Sequence, residues 1–240
     1  MINSILKHLL PAKTKDMIRD RLGVPNQETS LKRIKQLGFN STCCLDIGAY
    51  IGNWAIDFRE IFPDSRILMM EGQTEKEPEL QKIKESYNNI DYKIALLGAT
   101  ESTVVFNKYE TASSVLTEHN ITNAATESRK LTTLDKLLID TVFDKPDFIK
   151  IDTQGYELEI LKGGEKTLSS AEFVLLEVSF LDIYKNCPLV ADVLNFMQQH
   201  GFVLYDICTL MKRPLDGTLY QSDFLFVKEN SRLRSDKRWS

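Results

Sequence analysis

Cysteine is scarce in this chain of 240 residues, and the little there is carries no ligand or redox pattern. Cys43, Cys44, Cys187 and Cys208 form no C-x-x-C pair and have no histidine at zinc-ligand spacing, which excludes a zinc motif. Cys43 and Cys44 adjoin in an apolar run, so they point to opposite faces of a strand, where a mutual disulfide would be strained. All four read as small buried hydrophobes, and a reducing cytoplasm is the expected compartment. Apolar runs of the ~18 residues needed to span a bilayer are missing, as are repeats and low-complexity segments. Basic charge is short in the body of the chain: residues 1–40 carry +5 and residues 228–240 carry +3, leaving −12 on residues 41–227 within a net charge of −4. An acidic body argues against nucleic acid as the main ligand, because phosphate neutralisation needs a basic face.

What is present is a globular composition, 42% hydrophobic and 27% charged, enough for one α/β domain whose core needs neither disulfide nor structural metal. Three parts are expected: a helical N-terminal extension (1–37), the main domain (38–230) and a polar tail (231–240) that frays. In the extension, Ile2, Ile5, Leu6, Leu9 and Leu10 recur at helical spacing, while Lys7 and His8 interrupt any signal-peptide core. The favoured reading is a short amphipathic helix on the domain's own flank, with peripheral membrane contact as the alternative.

Along the main domain, helix and strand patterns alternate. Helical spacing over Ser30–Leu37 stops at Gly38. Cys43–Ile47 is an apolar strand closed by Gly48, and Trp54, Phe58, Ile61 and Phe62 recur as a helix. Arg66–Met70 is a second strand ending in Glu71, Glu77–Tyr87 a helix and Asp91–Leu97 a third strand. The region 98–135 breaks the rhythm, with a short strand at Thr103–Phe106, a polar irregular stretch and a helix opening at Thr132–Asp135. Then follow strand Asp147–Asp152, helix Tyr156–Lys162, strand Phe173–Val178, helix Val190–His200 and two strands, Phe202–Ile207 and Phe224–Val227, expected to be antiparallel. Strands this apolar predict a mostly parallel, doubly wound sheet covered on both faces.

The most informative stretch is Asp46-Ile47-Gly48-Ala49-Tyr50-Ile51-Gly52, where an acidic residue leaves a buried strand and glycines frame a turn into a helix. A dinucleotide G-x-G-x-x-G fingerprint from Gly48 would need glycine at Tyr50 and Asn53, and both positions fail. Asp46 suits a cationic ligand. Glu71, at the end of the second strand, can accept the hydrogen bonds of a ribose diol. S-adenosylmethionine combines that ribose with a sulfonium and an ammonium and has no phosphate, so it fits better than NAD. Taken singly, Asp46 also reads as a helix N-cap, and Gly48 and Gly52 as turn and packing glycines. A second acidic strand end follows at Lys150-Ile151-Asp152-Thr153-Gln154-Gly155-Tyr156-Glu157; a neighbouring pair of strands would face Asp46 and Asp152 onto one crevice.

Together with Ala112–Leu116 and Thr133-Leu134-Asp135, these segments resemble FkbM-type methyltransferases from about Leu37 to Phe226, most specifically in Lys-Ile-Asp-x-x-Gly-x-Glu. The resemblance implies a class I, Rossmann-like methyltransferase fold with seven strands in the order 3-2-1-4-5-7-6, an antiparallel last strand, and bound S-adenosyl-L-methionine. It also implies that Asp46, Gly48 and Gly52 line the methionine end of the cofactor, that Glu71 holds its ribose and that Asp152 lies near the methyl group. Ala49, Tyr50, Gly72 and Ala95 complete the expected cofactor set. Tyr50 stands where the family often has Asn, and Gly72 where a Pro commonly follows the acidic residue.

Methyl transfer to a hydroxyl needs positioning and a base. Asp152 is the first candidate, through burial expected beside Asp46 and Glu177. Glu177, an acid in an apolar strand, is a second catalytic candidate, and His119, in the irregular segment beside Ser113 and Ser114, a third. His8 lies in the terminal arm, and His200 is accounted for by a helix end. Trp54 reads as core; Tyr109, Tyr156 and Tyr184 are further acceptor-pocket candidates. Asp152 and Glu177 could hold Mg²⁺, but two carboxylates make no metal signature, and no metal site is predicted. The expectation is an O-methyltransferase acting on a carbohydrate or secondary-metabolite hydroxyl, a small-molecule or glycan acceptor. An NAD-dependent oxidoreductase and a non-catalytic scaffold of the same fold are the alternatives.

Overall fold

The computed structural model describes residues 22–108, 114–117, 119 and 125–239. The expected amphipathic helix near the N-terminus, with His8, and the candidates Ser113 and Tyr109 lie outside these residues.

The chain enters through helix α1 (Gln27–Gln36), whose N-cap Asn26 accepts a hydrogen bond from the Thr29 N–H and whose Leu31 and Ile34 are buried. The element order then runs β1 (Cys43–Ile47), α2 (Asn53–Ile61), β2 (Arg66–Glu71), α3 (Glu77–Ser86), β3 (Ile90–Ile94), β4 (Leu96–Leu97), β5 (Thr103–Lys108) and β6 (Ala125–Thr132). It continues with α4 (Leu134–Leu137), β7 (Phe148–Ile151), α5 (Glu157–Lys162), α6 (Glu165–Ser170), β8 (Phe173–Ser179), α7 (Val190–Gln199), β9 (Phe202–Ile207), β10 (Met211–Lys212) and β11 (Leu219–Lys228).

The main sheet has the order β3-β2-β1-β7-β8-β11, and β11 pairs beyond β8 with both β9 and β10. Strands β3, β2, β1, β7 and β8 run parallel, and β11 is antiparallel to β8 and β9. This is the expected doubly wound order, with two-residue β10 making eight strands rather than seven. All five residues of β1 are buried because both faces of a central parallel strand are covered. Alternation along it divides the interior: Cys43, Leu45 and Ile47 join one core, Cys44 the other. Helices α1–α3 supply Leu31, Ile34, Phe58 and Leu80 to the second core, and α4–α7 supply Leu134, Leu161, Leu168 and Met197 to the first. All four cysteines are free and buried.

Two expectations are corrected. The third strand does not run unbroken to Leu97. β3 stays in the main sheet, while β4 leaves it at Ala95 to pair with β6 in a separate sheet ordered β4-β6-β5, and β6 lies within the region 98–135 expected to break the rhythm, where the sequence pattern predicts no strand after Phe106. The tail does not simply fray, since Arg232–Arg234 form a 3₁₀ turn, Arg232 donates to the Gly38 carbonyl and Leu233 packs on the core beneath α1–α3.

Candidate active site

β1 and β7 are neighbours, with Asp46 opposite Lys150 in register, so the turns that follow them meet at one end of the sheet. Gly48 has φ +77°, and a Cβ there would stand 1.8 Å from the Asp152 carbonyl oxygen, so the close approach of the two turns requires glycine. Tyr50 is also left-handed (φ +51°). Its N–H donates to Glu71 Oε2 at 2.7 Å, while the Gln73 N–H donates to Oε1 at 2.8 Å. Burial pushes the Glu71 carboxyl up, and these backbone donors partly offset it. The carboxylate keeps acceptor capacity for a further donor.

Beside this carboxyl lies a cavity of about 240 Å³. Of the expected cofactor residues, Gly48, Tyr50, Glu71, Gly72, Ala95 and Asp152 line it. Met70, Leu96, Leu97, Phe106, Val115 and Ile160 give it an apolar side, and Tyr156 also contributes. Glu71 and Asp152 are its charged wall residues, and no Lys or Arg is among the described ones. Asp46, Ala49 and Gly52 do not line it. Asp46 is fully buried, Ala49 packs in the core on the α1–α3 face, and a Cβ on Gly52 would meet Ile83 Cδ1 at 2.4 Å, which makes Gly52 a packing glycine at the start of α2. Trp54 is core as expected, stacked on Phe58 at 4.9 Å between ring centroids.

Behind the wall is an ionic cluster. Lys150, 7% exposed, brings its ammonium to 3.1 Å from Asp46 Oδ1 and 3.7 Å from Asp152 Oδ2, and it donates to the Gly48 carbonyl at 3.2 Å. Neither Asp46 oxygen takes a well-directed hydrogen bond. Burial pushes the Asp46 carboxyl up and Lys150 draws it partway back; burial opposes the Lys150 ammonium too, but Asp46 and Asp152 outweigh it and hold Lys150 charged.

Asp152 is not buried as expected. Its side chain is 38% exposed at the cavity rim. Glu177 is not a wall residue; its Oε2 accepts from Gln154 Nε2 at 2.8 Å and Gln221 Nε2 at 2.9 Å, and Gln154 Nε2 also reaches Asp152 Oδ1 at 3.1 Å. An amide donor thus occupies the space between the two carboxyls. Burial, reinforced by Asp152, Glu157 and Asp223, holds Glu177 well above the usual carboxylate range. Tyr184 donates from its hydroxyl to Gln154 Oε1 at 2.9 Å. His119 is exposed, its backbone N–H donating to the Ile183 carbonyl, and it is not among the cavity walls. Among the described residues no group of three or more His, Cys, Asp or Glu is arranged to hold a metal.

Sequence reasoning assigned no role to Lys150, Gln154 or Glu157. Lys150 carries the signal already used for Glu177, a charge inside an apolar strand, Phe148-Ile149-Lys150-Ile151. Glu157 follows the turn and folds back so that its Oε1 accepts from the Thr153 and Gly155 N–H groups at 2.8 and 3.1 Å. Burial pushes Glu157 up to about 7. Gln154 (φ +57°) leaves no pattern in one dimension, since its partners come from β8 and the loop beyond.

Among known proteins, the hexuronic acid methyltransferase AglP of Haloferax volcanii is 33% identical over 60 residues, a quarter of each chain. In structure, EvdMO1 superposes with a TM-score of 0.50 at 14% identity, covering 84% of this chain and 40% of that one, a likeness of fold. The methyltransferase FkbM of Methylobacillus flagellatus KT gives a TM-score of 0.48 at 18% identity over 77% of this chain and 43% of that one. The chain thus spans less than half the length of each of these proteins. The sequence profile of the methyltransferase FkbM domain matches residues 46–204, from the acidic end of β1 into β9, and with the fold this makes the chain a member of the FkbM methyltransferase family.

Proposed function

We propose that the protein is an S-adenosylmethionine-dependent O-methyltransferase whose acceptor is a hydroxyl of a carbohydrate or related polyol. The observation that carries the cofactor assignment is the chemistry of the cavity wall, two carboxylates and an apolar side with no described cation. A dinucleotide would bring a pyrophosphate to these carboxylates, whereas a sulfonium nucleoside brings positive charge. The donor set fits: Glu71 would hold the ribose hydroxyls, Leu96, Phe106 and Val115 would pack the base, and Gly48, Tyr50 and Asp152 would face the amino-acid end.

When bound, the cofactor supplies a methyl group on a positively charged sulfur, which leaves as a neutral thioether. Asp152, at the cavity rim, would accept the proton of the acceptor hydroxyl. Glu177, whose carboxyl burial pushes up, would orient the Asp152 carboxylate through Gln154. The glycan acceptor is supported by the partial likeness to the hexuronic acid methyltransferase.

Calorimetry with S-adenosylhomocysteine tests the reading. Wild-type protein is expected to bind it, and Glu71→Ala to weaken binding by about 1–3 kcal/mol. Binding of NADH in its place would overturn the assignment. Asp152→Asn is expected to depress single-turnover transfer with little loss of thermal stability, and intact transfer would remove Asp152 as the base.

A further inference from the structure

The proposed mechanism gives no task to Lys150, the cation of the ionic cluster. Lys150 sits on a central strand, almost wholly enclosed, and its partners come from two pieces of chain, β1 with the turn after it and the turn after β7. Asp46 is on β1, the Gly48 carbonyl is in the turn after β1, and Asp152 is in the turn after β7. The indole of Trp54, on α2, lies 5.7 Å from the ammonium. Glu71, Glu177 and Asp223 act on it at longer range from β2, β8 and β11. If Lys150 were only the counter-ion of Asp46, that single pairing would satisfy it. It also reaches past Asp46 to a carbonyl and a carboxylate in the two turns that the cavity shares as walls.

We propose that Lys150 is a positioning residue of the cofactor site, whose ammonium ties the turn after β1 to the turn after β7 and so sets the distance between Gly48 and Asp152. The proposal rests on the cofactor reading above. An ammonium is suited to this task because it offers three donors without a fixed plane, so a carbonyl and two carboxylates can share it. The two turns already touch at Gly48, and the cation keeps the Asp152 carboxylate from swinging away into solvent, where its 38% exposure would allow it to go.

Lys150→Met removes the tie but leaves Asp46 buried without a partner; Lys150→Met with Asp46→Asn removes that stranded charge and protects the fold. Two measurements on these variants and the wild type decide the matter. Hydrogen exchange of the ligand-free protein reads the amides of Gly48, Ala49, Thr153 and Gly155, and calorimetry reads affinity for S-adenosylhomocysteine. The expected result in the folded variant is faster exchange at both turns, with other strand amides unchanged, and affinity lowered roughly tenfold. A purely structural lysine would lower the melting temperature without moving the affinity of the folded protein. Wild-type exchange at the turns, or unchanged affinity, would overturn the proposal. If the wild type itself takes up no S-adenosylhomocysteine, the cofactor reading fails, while the exchange rates still decide whether Lys150 ties the turns.

Discussion

Gly48 meets two demands at once, a left-handed backbone and a contact with the Asp152 carbonyl that leaves no room for a methyl group. Gly48→Ala is therefore expected to cost roughly 2 kcal/mol or more in urea denaturation, the strain of the left-handed residue adding to the push on the neighbouring turn. Calorimetry on the same variant should show weakened S-adenosylhomocysteine binding; wild-type behaviour in both would mean that the turns do not touch. Glu157 makes a different prediction. Its folded value of about 7 lies above its ordinary 4.5, so the native state holds a proton that the unfolded chain releases. Its contribution favours folding fully below about pH 4.5, falls as pH rises toward 7, and is gone above that. Glu157→Gln should flatten the pH dependence of stability in that window by about 3 kcal/mol relative to wild type. An unchanged slope would mean that Glu157 titrates normally.

At the scale of elements, what can be read in one dimension is what a single segment decides for itself. The run Cys43–Ile47, apolar but for Asp46, is buried on both sides because both faces are covered, and α1 repeats Leu31 and Ile34 because one face is. Asp46, Glu71 and Asp152 are visible as acids ending apolar strands, and Gly48 as a glycine after one. The hairpin of β5 and β6 is a different case. β6 reads Ala-Thr-Glu-Ser-Arg-Lys-Leu-Thr and buries only Leu131, so no alternation announces it; pairing with β5 makes it a strand. Likewise Lys150, Gln154 and Glu177 acquire their meaning from partners on other strands. In the small cluster of Leu96, Phe106 and Leu131, Phe106→Ala is expected to cost about 2–4 kcal/mol in denaturation and to weaken ligand binding, since the same ring walls the cavity.

Across the whole molecule, helices α1–α3 and α4–α7 clamp the sheet from opposite sides, and the segment after β11 packs back onto the fold: Arg232 donates to the Gly38 carbonyl and Ser231 bonds Glu172. Arg232→Ala should lower stability by about 0.5–1.5 kcal/mol in thermal unfolding without changing ligand affinity, because nothing in that contact touches the cavity. Among the described residues no helix is long and apolar enough to cross a membrane. The cavity, by contrast, is bounded by two separately hydrogen-bonded sheets: Gly48, Glu71 and Asp152 belong to the ends of the large one, Leu96, Leu97 and Phe106 to the small one. A guest molecule there acts as mortar between them. Its free energy of association is lent to whichever sheet would otherwise peel away first, so saturation should slow amide exchange in the small hairpin more than in the already protected central strands.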